Sequence, residues 1–210
     1  MYLFFARLTR CLLRIVNGKT TYLHQDRIPE QINYVMAAPH RTYLDAAYIA
    51  TALYPREIAF LAKQDLFSNR FLTWLLTKVH AIPVNRENPG TNVIRQPVRV
   101  LREGKMSVGI FPSGSRGKME IKGGAALIAK MGKVPILPVV YDGPLTLKDI
   151  FARRPAYVNI GELIYLKEEP KLGKEEAEDI AGQVLQAFQQ LTDEIMVLRN
   201  QREMIRSKQR

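Results

Sequence analysis

The segment YVMAAPHRTYLD, from Tyr34 to Asp45, joins one apolar run to the start of a second apolar pattern. The run at 34–38 is typical of a buried strand, and the spacing of apolar residues at 43–54 predicts a helix. Thr42 is the expected N-cap of that helix, since a threonine hydroxyl can accept a hydrogen bond from a free amide of the first turn. The segment therefore predicts a strand, a short turn and a helix, the unit from which α/β sheets are built.

His40 falls in the predicted turn and Asp45 in the first turn of the predicted helix. This placement lets the carboxylate reach one imidazole nitrogen while the other nitrogen faces a cleft, which is the geometry of a general base and the group that orients it. Taken alone, a histidine followed by an acid is more often structural. Two further polar turns, Asn85-Arg86 and FPSGSRG at 111–117, also follow apolar strand-like runs. Their presence favours the functional interpretation.

The composition is that of one globular domain with an excess of positive charge. Apolar residues make up 47% and charged residues 24% of the 210 residues, close to the averages for globular proteins. Lys and Arg number 31 against 20 Asp and Glu, a formal charge of +11, which indicates an anionic partner such as a phosphate ester, an acidic protein, anionic lipid or nucleic acid. Nucleic acid is disfavoured, because basic and aromatic residues are not interleaved and no reading motif is present. Cys11 is the one cysteine of the sequence, so an intrachain disulfide is excluded. Its thiol is expected to be packed in the protein or to face lipid.

Residues 2–16 form an amphipathic basic pattern, with apolar residues on one helical side and Arg7, Arg10 and Arg14 on another. Such a helix can lie in a membrane interface with its arginines toward anionic headgroups, but it can equally be a surface helix packed on the core. The arginines interrupt the best apolar run, so no segment reaches the roughly 18 apolar residues of a spanning helix. The first residues also lack the basic start of a secretory signal. We therefore expect a membrane-interface helix at 1–17 and a protein peripheral to the cytoplasmic face of the membrane.

Between the chain ends, strand and helix patterns alternate, which predicts a single α/β domain at 18–200 with a largely parallel central sheet flanked by helices. The predicted strands are 20–23, 33–38, 57–62, 81–84, 106–111 and 134–141. The predicted helices are 43–54, 68–79, 91–102, 124–131 and 174 to about 199, of which the third is weakened by Pro97. Two short segments, 157–160 and 163–166, are expected as edge strands, and 201–210 as a basic tail that frays.

The polar turns at the strand ends are candidates for a binding site, because ligands of open α/β sheets bind beyond the carboxyl ends of the strands. Arg86 and Arg116 can converge on an anion near His40. A guanidinium suits phosphate because it donates two parallel hydrogen bonds. Gly114 permits close backbone approach, and Ser115 adds a donor.

Several other kinds of site are disfavoured. The glycine-rich turn is neither a nucleotide-binding loop nor a hydrolase elbow, because the motifs of both are absent. A metal site is disfavoured as well, since the three histidines have no ligand spacing and there is no cysteine pair. His80 is expected to pack beside its strand. No metal and no cofactor is therefore expected.

These residues together resemble the 1-acylglycerol-3-phosphate acyltransferases, a family of glycerolipid acyltransferases. The blocks of the family are His-x4-Asp, an apolar block ending in arginine, Phe-Pro-Glu-Gly-Thr-Arg-Ser and Val-Pro-Ile-x-Pro-Val. They occur here in the same order as His40-x4-Asp45, AIPVNR at 81–86, FPSGSRG at 111–117 and VPILPV at 134–139. The resemblance covers about 18–165 and includes a lysine-bearing block, AKQDL at 62–66.

The resemblance implies direct transfer of an acyl group from acyl-CoA or acyl-carrier protein to lysophosphatidate, without a covalent acyl-enzyme. It implies that His40 removes the proton of the acceptor hydroxyl and that Asp45 holds the imidazole in the required tautomer. Donors of the glycine-rich turn, at Gly114 and Ser115, would stabilise the oxyanion of the thioester. The product would be phosphatidate, so the implied role is in phospholipid biosynthesis.

The same resemblance assigns the phosphate of the acceptor to Arg86 and Arg116, with Lys63 as a further ligand. Two positions depart from the family: Ser113 stands where the motif usually has glutamate, and Pro39 where asparagine often precedes the histidine. An acid beside a phosphate-binding arginine would position that arginine. Without it, the sequence identifies the acceptor less firmly than it identifies the type of reaction. Another lysolipid or lipid-linked alcohol, a non-catalytic lipid-phosphate-binding protein and a hydrolase therefore stay open as alternatives.

Overall fold

The computed structural model describes residues 1–85, 91–112, 123–169 and 171–208. The strands are β1 (Thr20–Leu23), β2 (Val35–Ala37), β3 (Ile58–Lys63), β4 (Ile82–Val84), β5 (Ser107–Ile110), β6 (Ile136–Asp142) and β7 (Ala156–Ile160). The helices are α1 (Tyr2–Val16), α2 (Leu44–Ala52), α3 (Arg70–Lys78), α4 (Asn92–Arg102), α5 (Gly124–Gly132), α6 (Leu147–Phe151) and α7 (Lys174–Lys208). Strands and helices alternate along the chain as predicted, and α4 continues through Pro97.

Within the described residues, seven strands form one sheet in the order β1-β7-β6-β2-β5-β3-β4. Every neighbouring pair is parallel except β6 and β7, so the prediction of an α/β fold with a largely parallel sheet is confirmed. Of the two short segments expected as edge strands, 157–160 is a strand but not an edge strand, and 163–166 is not a strand. β7 lies inside the sheet between β1 and β6, and Ile164 makes an isolated bridge to Ile136. Local periodicity marks a segment as a strand, but the neighbours of that strand are set by tertiary packing.

Alternate residues of β2 point to opposite faces of the sheet, and helices cover both faces. Val35 and Ala37 belong to a core shared with α4, α5 and α7, whereas Tyr34 and Met36 belong to a core shared with α2. All four side chains are fully buried, as expected for a strand in the middle of a covered parallel sheet. The turn that follows β2 is therefore anchored on a rigid element.

The last helix is longer than the sequence predicts. α7 continues through the segment expected as a fraying tail, 201–210, as far as residue 208. Arg199 donates to the Asp142 carboxylate at 3.2 Å, and Arg202 donates to the Thr21 hydroxyl at 3.0 Å. These polar contacts hold the part of α7 around residues 199–202 against β6 and β1. The apolar pattern ends earlier and does not reveal them.

A buried ion pair fixes α7 to α5. Lys130 Nζ donates to both carboxylate oxygens of Glu176, at 2.8 and 2.9 Å, and the two side chains are 6% and 7% exposed. The backbone amide of Lys167 donates to the same carboxylate at 3.1 Å. Hydrogen bonding from Lys130 lowers the pKa of Glu176, so the carboxylate stays ionised. A buried ion pair needs such hydrogen bonding to offset its loss of hydration.

The first helix, α1, packs on the protein through one side and exposes apolar side chains on another. Tyr2 and Ala6 are buried, and Leu13 packs against the α2 core. The outward side chains recur at helical spacing and are Phe4, Leu8, Leu12 and Ile15. Cys11 is exposed, so the expectation of a packed thiol is wrong and a lipid-facing thiol stays a prediction. Among the residues described, no helix combines the length and apolar character needed to cross a bilayer.

Candidate active site

His40 lies in the turn between β2 and α2, and Asp45 is the second residue of α2, where the sequence predicts them. His40 Nδ1 lies 3.2 Å from Asp45 Oδ2. Both side chains are buried, with exposures of 9% and 1%. Because the carboxylate holds Nδ1, Nε2 is the imidazole nitrogen left to exchange a proton with a substrate.

The Asp45 carboxylate organises the turn as well as the imidazole. Its Oδ2 accepts hydrogen bonds from the backbone amides of Arg41, at 2.6 Å, and Thr42, at 2.9 Å. Thr42 does not cap α2, because its hydroxyl donates to the Leu145 carbonyl at 2.9 Å, so that prediction is wrong. Among the described residues, no side chain caps α2, but the negative charge of the Asp45 carboxylate in its first turn is favoured by the helix dipole. Asp45 Oδ1 is buried without a hydrogen-bond partner in the described part of the chain.

The His40 ring also stacks on an aromatic ring. The centroids of His40 and Phe111 lie 4.3 Å apart with an angle of 29° between the planes. Phe111 directly follows β5, which pairs with β2, so the two rings come from adjacent strand ends. The sequence marks Phe111 as part of a motif but does not reveal this contact. Stacking and the Asp45 carboxylate together restrict the orientation of the imidazole.

Sequence reasoning missed Arg41, which ties the turn to β6. Its Nη2 donates to the Tyr141 carbonyl at 2.7 Å and to the Asp142 carboxylate at 3.1 Å. The Tyr141 ring stacks on Tyr48 of α2 at 4.7 Å between centroids. Burial raises the pKa of Tyr141, so its hydroxyl stays protonated. The position of Arg41 directly after His40 is the one sequence signal for this role.

Lys63, a predicted phosphate ligand, ends β3 at the same edge of the sheet as His40, two strand spacings or about 10 Å from β2. It lines a cavity of about 450 Å³ together with the 3₁₀ turn that follows β3 and the end of β4. The Lys63 ammonium pairs with the Asp65 carboxylate at 2.5 Å, and both are partly exposed. The structure thus brings Lys63 to the predicted edge, beside a cavity.

The remaining predicted site residues lie outside the described residues. They are Arg86, Gly114, Ser115 and Arg116, and the departure from the family at Ser113 lies there too. The described chain leads into both segments from the carboxyl ends of β4 and β5, at the edge that carries His40. The roles of these residues stay predictions.

The other two histidines make contacts away from this turn. His80 stacks on Tyr2 at 5.7 Å, and its Nε2 lies 3.3 Å from the Glu57 carboxylate, so it packs just before β4 as predicted. His24 Nε2 lies 3.1 Å from the Glu194 carboxylate. In the ranges that the structure describes, no cluster of His, Cys, Asp and Glu could hold a metal ion.

The family model described as acyltransferase matches residues 19–142, a range that contains His40 and Asp45. A 1-acyl-sn-glycerol-3-phosphate acyltransferase of Streptococcus pneumoniae is 42% identical over 194 residues, which cover 92% of this chain and 74% of the relative. The chain belongs to the 1-acylglycerol-3-phosphate acyltransferase family. This acyltransferase is also 36% identical to the protein of the same name from Bacillus subtilis, over 79% of this chain and 83% of the relative.

A solved structure has the same fold as this acyltransferase. It is the 1-acyl-sn-glycerophosphate (LPA) acyltransferase PlsC of Thermotoga maritima, with a TM-score of 0.67 and 18% identity over 90% of this chain and 77% of the other. The predicted family resemblance, fold and enzyme class are therefore confirmed. The range matched by the family model ends with β6, so β7 and α7 lie beyond it.

Proposed function

We propose that this acyltransferase moves a fatty acyl group from an acyl thioester to the sn-2 hydroxyl of 1-acylglycerol-3-phosphate (lysophosphatidate), which gives phosphatidate. The buried pair of His40 Nδ1 and Asp45 Oδ2, 3.2 Å apart, carries this proposal, in a chain 42% identical to a protein named for that acceptor. The acyl donor is acyl-CoA or acyl-carrier protein, both of which hold the acyl group as a thioester.

The reaction needs one base that later acts as an acid. His40 Nε2 takes the proton of the acceptor hydroxyl as its oxygen attacks the thioester carbonyl carbon. The oxyanion that forms then collapses, the carbon–sulfur bond breaks, and the leaving thiolate takes the proton from His40. Asp45 keeps the proton on Nδ1 and stabilises the imidazolium between the two steps. Base catalysis of this kind typically contributes about 10²–10⁴ in rate.

The acceptor's phosphate is assigned to the side of His40 that carries β3 and β4. Lys63 lines a cavity there, and Arg86 and Arg116 follow β4 and β5 in the sequence. Gly114 and Ser115 are assigned as donors to the oxyanion on the family resemblance. Lysophosphatidate carries its phosphate on the carbon next to the attacking hydroxyl, so a phosphate site close to the base suits it.

The acceptor is tested by product analysis with the purified full chain. Acyl-CoA or acyl-carrier protein is mixed with lysophosphatidate or with lysolipids whose phosphate is a diester, and free thiol and diacyl product are both measured. We expect thiol release that depends on lysophosphatidate and an equal amount of phosphatidate. Thiol release only with another lysolipid would contradict the proposed acceptor, and release without any lysolipid would indicate a hydrolase.

We further propose that the protein is peripheral to an anionic membrane on its cytoplasmic face, and that the outward side of α1 enters the interface. Phe5 of α1 meets Trp74 of α3 edge to face at 5.9 Å, and Trp74 stacks on Phe71 at 6.1 Å. Phe71 is 71% exposed, and Phe151 of the neighbouring α6 is 72% exposed. Exposed aromatic and aliphatic side chains on adjacent helices favour insertion at the lipid boundary.

The arginines of α1 flank this apolar surface. Arg7 donates to the Tyr54 hydroxyl at 2.6 Å, and the Arg10 guanidinium lies 5.4 Å from the Tyr22 ring centroid. Both arginines are exposed although they contact these rings. Their charges can therefore interact with a membrane surface to which α1 binds. Each basic residue close to an anionic membrane contributes about 1 kcal/mol to binding.

Vesicle binding tests the membrane proposal. Removing residues 1–16 would uncover core residues under α1, so we choose the surface variant Leu8→Ser/Leu12→Ser. We expect weaker binding to phosphatidylglycerol vesicles and an unchanged circular dichroism spectrum. The control Met196→Ser/Val197→Ser removes exposed apolar side chains from α7, and we expect it to bind like the wild type. Equal binding by both variants would overturn the assignment to α1.

A further inference from the structure

A second cavity, of about 570 Å³, lies where β1 and β7 begin and α7 ends. Five cationic side chains and one carboxylate line it: Lys19, Arg153, Arg154, Arg199, Arg202 and Glu203. Four of the five cations lie beyond residue 142, where the match to the family model stops. A concave site with this excess of positive charge attracts a multiply charged anion.

This basic cavity opens at the same edge of the sheet as His40. β7 runs antiparallel to β6, so its first residue lies beside the carboxyl end of β6, and β1 begins beside it. A smaller cavity of about 130 Å³ includes Arg41 and shares Arg154, Pro155 and Arg199 with the larger one. Three strand spacings, about 15 Å, separate β1 from β2. The two cavities are therefore neighbours, and the smaller one reaches Arg41, the residue that follows His40.

The cations of this cavity are only partly neutralised by the protein. Arg154 pairs with Asp149 at 3.1 Å, and Arg199 pairs with Asp142 at 3.2 Å. In the described part of the chain, the other two arginines contact neutral groups: Arg153 contacts the Ile15 carbonyl, and Arg202 contacts the Thr21 hydroxyl and the Tyr157 ring. These guanidiniums keep donors for a ligand, and planar guanidinium donors match phosphate oxygens.

We propose that the basic cavity binds the phosphate end of the phosphopantetheine thioester that carries the acyl group, with the arm running past Arg41 to His40. This inference rests on the proposed acyl transfer. The distance of about 15 Å between β1 and β2 decides which of the two substrates can place its phosphate in the basic cavity. The phosphate of lysophosphatidate is on the carbon next to the reacting hydroxyl, so it cannot lie about 15 Å from the base. The phosphate of the donor is separated from its thioester by the whole pantetheine arm, and coenzyme A and acyl-carrier protein share that arm.

Direct binding tests the inference without any need for turnover. The ligands are 4′-phosphopantetheine, which has the phosphate, and pantetheine, which lacks it. The variant is Lys19→Gln/Arg153→Gln, which removes two exposed charges from the cavity. The control is Lys105→Gln/Lys133→Gln, which removes two exposed charges just before β5 and β6, at the opposite edge of the sheet.

We expect calorimetry to show that the wild type and the control bind phosphopantetheine at least about tenfold more tightly than pantetheine, a difference of about 1.4 kcal/mol. The cavity variant should lose this preference while it melts at the same temperature. Equal binding of the two ligands by the wild type, or a preference retained by the cavity variant, would overturn the inference. A wild type that shows the preference but makes no phosphatidate would instead count against the proposed function alone.

Steady-state kinetics distinguishes coenzyme A from acyl-carrier protein as the donor whose pantetheine arm is bound. The KM of the cavity variant should rise about tenfold for acyl-CoA, for acyl-carrier protein or for both, and the donor whose KM rises is the one held there. The KM for lysophosphatidate and kcat should stay the same. A rise in KM for lysophosphatidate without a rise for either donor would overturn the inference.

Discussion

Among the residues that the structure describes, the two sides of His40 differ in charge, although they share one end of the sheet. On the side of β3 and β4, the described cation of the cavity is Lys63, which is paired with Asp65. On the side of β6, β7 and β1, five cations line the basic cavity beside a single carboxylate. The difference fits the proposed assignment of the two substrates, since one has its phosphate beside the reacting atom and the other has it at the far end of a long arm.

The comparison also separates what depends on local sequence from what depends on the whole fold. On the proposed acceptor side, the further predicted cations, Arg86 and Arg116, belong to segments that directly follow β4 and β5 in the sequence. The donor side is assembled from α7 and from the residues before β1 and β7. A change on one side should therefore alter the KM of one substrate, whereas a change at the turn between them should lower kcat and leave both affinities near those of the wild type.

The largest effect is expected for Asp45→Asn, which alters the point where the two sides meet. The asparagine amide cannot serve as an anionic acceptor for His40 and for the backbone amides of Arg41 and Thr42. We expect kcat to fall by about 10²–10⁴, with calorimetric affinities for phosphopantetheine and lysophosphatidate near those of the wild type. Asp179→Asn, at an exposed site on α7, serves as the control. A kcat for Asp45→Asn within about twofold of the wild type, measured by thiol release, would contradict this role.

A smaller effect is expected for Lys63→Gln. This substitution removes the cation that the structure describes in the cavity on the acceptor side. Because Lys63 is 43% exposed and already paired, its contribution is screened, and we expect the KM for lysophosphatidate to rise about twofold to tenfold. The KM for the acyl donor should not change. The neighbouring substitution Asp65→Asn removes the charge that pairs with Lys63 and should leave the KM for lysophosphatidate equal or lower. A change in the donor KM alone would reverse the assignment of the two sides.

The smallest expected effect is the coupling between the two sides. Lys63→Gln and Lys19→Gln/Arg153→Gln lie at opposite ends of the reacting edge and share no lining residue in the described cavities. The effects of such distant changes usually add within about 0.3–0.5 kcal/mol. The triple variant should therefore show both single changes in KM at their original size. A coupling well above that range in the double-mutant cycle would mean that one ligand occupies both cavities.

Much of the scaffold could be predicted from the sequence, because it depends on local patterns. Alternating apolar periodicities identify the strands and helices, and the spacing from His40 to Asp45 matches a strand, a turn and the start of a helix. The structure then places these two side chains in contact. Phe111 stands in a recognisable motif, but its stacking on the imidazole depends on the pairing of β5 with β2. That pairing is a property of the sheet and not of either segment.

The basic cavity could not be predicted, because its residues share no local pattern. Lys19, Arg153 and Arg202 are far apart in the chain and come together only because β7 lies inside the sheet and α7 continues beyond its apolar stripe. Each of them taken alone is an ordinary surface charge. The failed prediction for Thr42 has the same origin, since the carbonyl that takes its hydroxyl belongs to Leu145, a distant residue.

The central claim, that His40 is the base which joins the two sides, is tested most directly by His40→Ala. Thiol release is measured with saturating acyl donor and lysophosphatidate, while calorimetry follows the binding of phosphopantetheine and lysophosphatidate to the same protein. We expect the rate to fall by about 10²–10⁴, with both affinities within about twofold of the wild type. Unchanged lysophosphatidate-dependent thiol release by His40→Ala would contradict the claim.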